Sequence, residues 1–496
     1  MNRKNKLLLN ALVGFLLPIT TLICGLILPR ALLQAFGSEV NGLVSSITQF
    51  LSFISLLEMG VGPVIQANLY KPLAEKDYTK TSEIVVSAER FYRRIAYIFL
   101  VYILILAILF PLVNTEFSPI FTVSLIIIIA ISTVAQYFFG ATYQVLLNAD
   151  QKSYIQMTLQ IVSVILNTII GILLINIGAS VHIVKLVSAT IFVLRPLGQM
   201  LYVKKYYKID RSITLVGEPI KQKWNGFAQH LAATVSSNTS VVVLTLFSSL
   251  SNVSIYSIYN VVANGVSNIV FSASSGLESF FGNIIAKDEK NAMQQSFETV
   301  EWVIHAGVTI VFTIAAILML PFVSVYTDGV SDANYYQPTF GALLVLASMV
   351  QCLRIPYFRL IKAAGHFKQT QNGSFIMAAI NVVLAILLVF GYGLDGVAIA
   401  LLSAVAFHTI YFVWYLRKNI INRSVLHFAK HIIVDTLVVL LSFVCTSGLS
   451  LSQNTFKELF VLAIFVGLIV LGVSIVLNLV FHSKIIFKLL RGIKKK

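Results

Sequence analysis

The chain is 496 residues long, 57% hydrophobic and 11% charged, with 36 Lys and Arg against 20 Asp and Glu. About a quarter of a soluble domain is charged, so this composition, with a mean hydropathy of +0.87, excludes a large water-soluble body on either side of a membrane. Three cysteines, Cys24, Cys352 and Cys445, each sit in an apolar run and offer neither a disulfide framework nor metal-ligand spacing.

Backbone amides in hydrocarbon must be satisfied within their own segment, so each apolar run of about 20 residues or more has to be a helix. In chain order such runs fall at 7–31, 40–69, 91–113, 118–147, 153–176, 181–203, 222–248, 252–285, 298–326, 336–362, 370–390, 394–416, 427–450 and 456–482. The opening MNRKNKLLLN has no small-residue cleavage site after a short apolar core, which reads as a retained first span. Basic residues test the count. With both termini cytoplasmic, 30 of the 36 Lys and Arg fall in cytoplasmic segments, Lys185 and Lys457 fall outside, and Arg30, Arg195, Arg354 and Arg359 lie within spans. A net charge of +16 is therefore the orienting bias of a multispan protein facing an anionic leaflet, and nucleic acid is not an expected partner.

Shifting the chain by 211 pairs Phe36 with Phe247, Asn41 with Asn252, Ser46 with Ser257, Lys76 with Lys287 and Asp77 with Asp288; shifts of 214 and 215 pair Asn167 with Asn381, Gln136 with Gln351 and Ala149 with Ala364. Two copies of six spans, an even number, enter from the same side and are related by an axis along the membrane normal. The expected fold class is an all-α membrane protein of about 14 transmembrane helices, two six-helix lobes around a central cavity plus two C-terminal helices. The boundaries follow: an N-lobe over 1–203, a charged cytoplasmic linker over 204–221, a C-lobe over 222–416, a helix pair over 417–482 and a basic amphipathic tail over 483–496. In that tail Ile485, Ile486, Leu489, Leu490 and Ile493 share one helical face, opposite Lys484, Lys488, Arg491 and Lys495.

Polar residues inside the spans mark the candidate site. Span two carries Asn41, Ser45, Thr48, Ser52, Ser55 and Gln66 at three- and four-residue steps beside Glu58; span eight carries Asn260, Asn264, Ser267, Ser274 and Glu278; span seven begins with His230, Thr234 and Ser237. Such faces serve close helix packing or a hydrated cavity. A charge at mid-membrane costs about 2.5–3.5 kcal/mol on insertion scales, so those present should face a cavity or a partner. Arg195 lies roughly 20 Å into its span and Arg354 roughly 25 Å into its own, deep enough to meet an anionic group bidentately. Arg30 follows Pro29 near a span end. Glu58, Glu278, His230 and Asp435 are the candidates for proton or sodium coupling. No metal-ligand cluster, nucleophile elbow or phosphate-cradling loop is apparent, so neither catalysis nor a cofactor is expected.

The residues also carry a resemblance. Leu28-Pro29-Arg30, Phe36-Gly37-Ser38-Glu39, Asn41-Gly42-Leu43 and Leu57-Glu58-Met59-Gly60-Val61-Gly62 resemble the opening of the polysaccharide-biosynthesis flippases that export capsule or O-antigen repeat units. Lys71 to Asp77 fits the loop that follows in that family, and Leu147-Asn148-Ala149-Asp150 its turn after span four. The family lies in the multidrug/oligosaccharidyl-lipid/polysaccharide exporter superfamily, and these motifs are shared across it. The resemblance implies translocation of an undecaprenyl-diphosphate-linked oligosaccharide to the outer leaflet of the cell membrane. It also implies a cavity containing arginine, for which Arg30 is the family-matched candidate and Arg195 and Arg354 follow from depth. Asn41, Ser52, Asn260 and Asn264 are the candidate sugar contacts. A polysaccharide polymerase and glycosyltransferases would be the partners besides the bilayer. The alternatives are a flippase for a peptidoglycan lipid precursor, a multidrug extruder of the same superfamily and, less favoured, a membrane-embedded glycosyltransferase or polymerase.

Overall fold

The computed structural model describes residues 3–58, 61–213, 227–449 and 455–487, and every regular element among them is a helix. In order these are α1 (Arg3–Ser52), α2 (Ser55–Glu58), α3 (Val61–Glu75), α4 (Tyr78–Val113), α5 (Pro119–Phe139), α6 (Ala141–Ala149), α7 (Ser153–Asn176) and α8 (Val181–Tyr206). Then come α9 (Phe227–Phe247), α10 (Leu250–Ala273), α11 (Leu277–Ala286), α12 (Lys290–Tyr326), α13 (Pro338–Leu353), α14 (Ile355–Ala363), α15 (Phe367–Asn419), α16 (Leu426–Thr446) and α17 (Phe456–Phe481). Among the described residues eleven helices are long and apolar enough to cross a membrane, which makes this a multi-pass membrane protein.

Among the described residues seventeen helices stand where fourteen spans are expected, because several spans are broken and two pairs are fused. The 50 residues of α1 and the 53 of α15 would run roughly 75 and 80 Å if straight, more than twice a hydrocarbon core of about 30 Å. Each is interrupted by a glycine with non-helical backbone, Gly37 at φ 82° and Gly393 at φ 50°, a region open mainly to residues without a Cβ. At Gly393 the chain folds back: a Cβ added to Gly396 would lie 2.4 Å from the carbonyl oxygen of Leu388, whereas eight residues of continuous helix would hold them about 12 Å apart. Span four breaks at Gly140, between α5 and α6, and span ten at Arg354, between α13 and α14, just before Pro356 removes a backbone donor.

The repeat read in the sequence is also written in the backbone. Gln151 (φ 57°) and Gly365 (φ 74°) take left-handed conformations 214 residues apart, Gly178 (φ 78°) and Gly393 (φ 50°) 215 apart, and Lys76 (φ 57°) and Asp288 (φ 52°) 212 apart. Each member follows a helix, where a left-handed residue is a common stop signal. The breaks at Gly140 and Arg354 are likewise 214 apart.

The chain divides into two compact units, one of residues 1–234 with 249–254, the other of 235–248 with 255–496. In the first, α1 packs on α7, α5 on α4 and α8, and α7 on α8. Its core gathers Tyr92, Phe99, Leu125, Ile126 and Leu146, all fully buried. In the second, α12 packs on α13, α16 and α17, and α15 on α13, with Phe281, Phe297, Tyr357 and Phe412 at the centre of one cluster. Ile108, Leu112, Ile120, Phe390 and Phe460 are exposed, the apolar outer surface that lipid requires. Lipid tails are as apolar as these side chains, so close packing and buried polar contacts, rather than removal from water, hold the helices together. Gly171 of α7 shows the packing term: a Cβ there would meet Leu28 of α1 at 2.7 Å.

Candidate functional site

In the first unit a cavity of about 360 Å³ is lined by Glu58, Ser132, Thr133, Gln136, Tyr137, Gln144 and Arg195. That is room for about a dozen waters. The break at Gly140 creates the arrangement. A Cβ there would sit 2.7 Å from both Gln136 Oε1 and Pro196 Cβ, so only glycine lets α5 end, α6 begin and α8 pass at this distance. Arg195, one residue before Pro196, is half-buried and donates Nη1 to Gln160 Oε1 and Nη2 to Gln144 Oε1 at 3.3 Å. Gln136 Nε2 donates to the same Gln144 oxygen at 3.0 Å. Both amide acceptors are neutral, so they orient the guanidinium without cancelling its charge. Across the cavity lining, the Glu58 carboxylate accepts from Tyr92 at 3.3 Å and Tyr137 at 3.2 Å. The space therefore presents a guanidinium, a carboxyl group and amide and hydroxyl groups to whatever enters it.

One end of the same unit is tied by an ionic knot. Asp150, in the turn between α6 and α7, accepts from Lys6 at 3.0 Å, pairs with Lys152 at 2.7 Å and accepts from the Tyr207 hydroxyl at 2.5 Å. Asn10 of α1 bonds the Gln151 carbonyl and the Tyr154 amide. The knot thus joins the start of α1, the α6–α7 turn and the end of α8. Burial pushes the Asp150 carboxyl up, but bonds from Lys152, Tyr207 and Lys6 outweigh it and hold the group below its ordinary range. An acid depressed in the folded state adds stability above its unfolded value of about 3.9, and the gain is lost as pH falls through the lower folded value. Asp150→Asn should lower the thermal unfolding midpoint at pH 7, and the gap to wild type should begin to close only as pH falls below about 4 and vanish below the depressed folded value; scanning fluorimetry across that range checks it, and an unchanged midpoint at pH 7 refutes it.

The second unit holds a different polar cluster. Glu301 and His305 of α12 lie one turn apart, as do His431 and Asp435 of α16, and all four are buried. Glu301 accepts from the Tyr357 hydroxyl of α14 at 2.5 Å and pairs with Arg423 and, at 3.4 Å, with His431. His305 Nδ1 lies 2.7 Å from Asp435 Oδ2, while Thr309 donates to Asp435 Oδ1 at 2.8 Å. The His305 and His431 rings are 4.9 Å apart, and His482 stacks on His431 at 4.6 Å. Among the described residues no group of His, Cys, Asp and Glu is arranged to hold a metal ion.

No protein-family model and no curated protein sequence matches the chain. Solved structures do. One described as the lipid II flippase MurJ, in an inward closed conformation, aligns with a TM-score of 0.75 at 15% identity over 97% of this chain and 100% of its own. An inward-facing multidrug resistance MATE family transporter of the MOP superfamily aligns at 0.60 and 14%, over 83% and 99%. The eukaryotic MATE transporter AtDTX14 aligns at 0.57 and 12%, over 83% and 95%. The fold is that of the MOP-superfamily transporters. Both kinds of neighbour are transporters rather than enzymes, and at these identities the likeness is one of fold, so each residue must be placed on this chain's own geometry.

On this MOP fold, Arg195 and Glu58 line one cavity. Arg354 sits in the second unit against neutral partners, with Nη1 2.5 Å from His408 Nδ1 and 3.5 Å from Met377 Sδ and its guanidinium over the Phe412 ring. Arg30 is half-buried in α1. Asn41 is buried and donates to Ser254 Oγ at 2.7 Å; Ser52 turns its hydroxyl onto the Gln49 carbonyl at 2.6 Å. Asn260 is half-buried and Asn264 exposed on α10. Glu278 pairs with Arg359 at 3.5 Å and Lys362 at 3.4 Å. Asp435 belongs to the second-unit cluster. The His230 side chain and most of the amphipathic tail lie outside the described residues. Not singled out from the sequence were Gln144 and Gln160, which hold Arg195, and the whole set of His305, Arg423, His431 and His482. A signal for the latter exists in Glu301-x3-His305-x3-Thr309 and His431-x3-Asp435, four-residue steps that put acid, imidazole and hydroxyl on one helical face.

Proposed function

We propose that this chain is a flippase that carries an oligosaccharide linked through diphosphate to a polyprenol of the undecaprenyl type. Cargo moves from the cytoplasmic to the outer leaflet of the cell membrane by alternating access, for assembly of surface polysaccharide, with both termini cytoplasmic. The observation that carries this reading is Arg195, a half-buried guanidinium held by two amide oxygens beside a polar cavity. A diphosphate entering hydrocarbon loses its hydration, and a preoriented guanidinium replaces part of it with charge-assisted bonds. Gln136, Gln144, Ser132 and Thr133 suit sugar hydroxyls, and the prenyl chain stays in lipid. Arg30, Arg354, Asn41, Ser52, Asn260 and Asn264 are further proposed contacts, Arg354 keeping its charge among the neutral partners His408 and Phe412. Outward movement of about two negative charges through an inside-negative potential gains about 4–5 kcal/mol per 100 mV, so Glu58, Glu278 and Asp435 need not couple an ion for transport to run. A polymerase and the glycosyltransferases that make the cargo are the fitting partners.

A peptidoglycan lipid precursor is the second reading, favoured by the fold shared with the lipid II flippase structure and by the common diphosphate. A cationic drug fits less well, because it would meet Arg195. The purified protein in liposomes separates the three. Polyprenyl-diphosphate oligosaccharide, peptidyl-disaccharide diphosphate polyprenol and a lipophilic organic cation are each supplied in one leaflet, and the fraction shielded from a membrane-impermeant reagent is followed with time. Faster exchange of the first supports the proposal, faster exchange of the second replaces it with the precursor reading, and movement of the cation alone overturns both.

A further inference from the structure

We propose that the buried acid–histidine cluster of the second unit is a proton-binding site whose occupancy sets how tightly α16 and α17 are clamped to α12. The inference is independent of which cargo is carried.

Charge balance comes first. With neutral imidazoles the cluster holds two carboxylates, Glu301 and Asp435, against one guanidinium, Arg423. Glu301, His305, His431 and Asp435 are each 6% exposed or less. An unbalanced charge in so dry a place is costly, and one added proton brings the sum to zero. The geometry says where it can reside. His305 and His431 each face a carboxylate, Asp435 at 2.7 Å and Glu301 at 3.4 Å, so an imidazolium on either ring has a counterion in contact.

His482 caps α17, is 5% exposed, has no hydrogen-bond partner for either ring nitrogen, and stacks on His431 with the ring planes 8° apart. Lys430 donates to the Phe481 carbonyl at 2.6 Å beside it. The ring thus packs on the face of His431 and ties the end of α17 to it, while the Tyr357 hydroxyl, 2.5 Å from Glu301 and 3.5 Å from His305 Nε2, links the two halves of the cluster.

The groups facing the site from each element are Glu301 and His305 on α12, Tyr357 on α14, Arg423 in the segment after α15, His431 and Asp435 on α16, and His482 at the end of α17; Lys430 of α16 lies at its edge, exposed and bonded to the Phe481 carbonyl, and its charge stands outside the buried sum. Nearby Glu278 is taken up by Arg359 and Lys362. Because His305–Asp435 and Glu301–His431 are both contacts between α12 and α16, losing the proton weakens that interface directly. His482, on the end of α17, follows His431. The clamp should be tightest in acid and loosen as pH rises.

The full-length protein in lipid nanodiscs, without cargo, is labelled with 15N-histidine and followed by NMR from pH 5 to 9, together with hydrogen exchange of α16 and α17 corrected for its intrinsic pH dependence. In the wild type one cluster imidazole should be cationic at pH 7 and lose its proton as pH rises, with opening of α16 and α17 increasing up to tenfold per pH unit over that step, the slope that one linked proton gives. In Asp435→Asn the cationic signal at pH 7 should be lost; in His366→Gln, whose ring bonds Tyr415 elsewhere, it should remain. Neutral imidazoles throughout the wild-type titration overturn the proposal without any variant. A cationic signal that survives Asp435→Asn, or exchange that ignores the step, overturns it too. Because cargo is absent, such a failure leaves the flippase reading standing.

Discussion

Replacing Arg195 with Ala should reduce flipping of a polyprenyl-diphosphate oligosaccharide by about 10- to 100-fold. A hydrogen bond to a charged group contributes about 1.5–3 kcal/mol net, and each 1.4 kcal/mol is a factor of ten. Arg195→Lys keeps the charge but loses the planar fork that spans two acceptors, and should fall between wild type and Ala. The fold should survive both changes, because the partners left behind, Gln144 on the cavity lining and the half-buried Gln160, are neutral amides rather than buried charges. Initial rates in liposomes, normalised to folded protein, measure this. Wild-type rates in the Ala variant would remove Arg195 from cargo recognition and with it the observation on which the proposed function rests.

The second large effect concerns stability. Arg423→Gln leaves Glu301 buried beside Tyr357 and His431 without its guanidinium, and removing one partner of a buried pair costs about 3–5 kcal/mol. Glu301→Gln should cost a similar amount by stranding Arg423, itself nearly buried at 7% side-chain exposure. The double variant, which removes both charges, should recover most of the loss, since replacing a whole buried pair is often close to neutral. Reversible unfolding in mixed detergent micelles gives the three differences. Additive losses in the double variant would show that the two residues act separately and that the pairing contributes little.

How much of this was legible in the sequence follows from what each level of structure depends on. Helices had to fill the apolar runs because hydrocarbon leaves the backbone no other partner, and the repeat followed from matched residues such as Asn167 and Asn381 before the paired turns at Gln151 and Gly365 made it visible in the backbone. Breaks were harder. Gly140 looks like any small residue in a membrane helix, and only the proximity of Pro196, 56 residues away, shows that the position must lack a side chain. Depth along a helix marks Arg195 and Arg354 equally, yet rotation about the helix sets their neighbours: one lines a cavity, the other meets His408 and Phe412. Among the acids, Asp435 was noticed singly as a charge within a span, but the cluster around it needs α12, α14, α16 and the segment carrying Arg423 to converge, a tertiary fact that no helical period encodes.

The reversal in α15 bears on how the protein is made. With only Gly391-Tyr392-Gly393 at the bend, there is no linker long enough for the first arm to settle in lipid while the second is still being synthesised. So short a connection favours entry of the two arms together, as a hairpin that already holds the close approach at Gly396. A bulky residue at that corner would accordingly be felt during biogenesis, as retention or degradation of the nascent chain, ahead of any change in the behaviour of the finished protein.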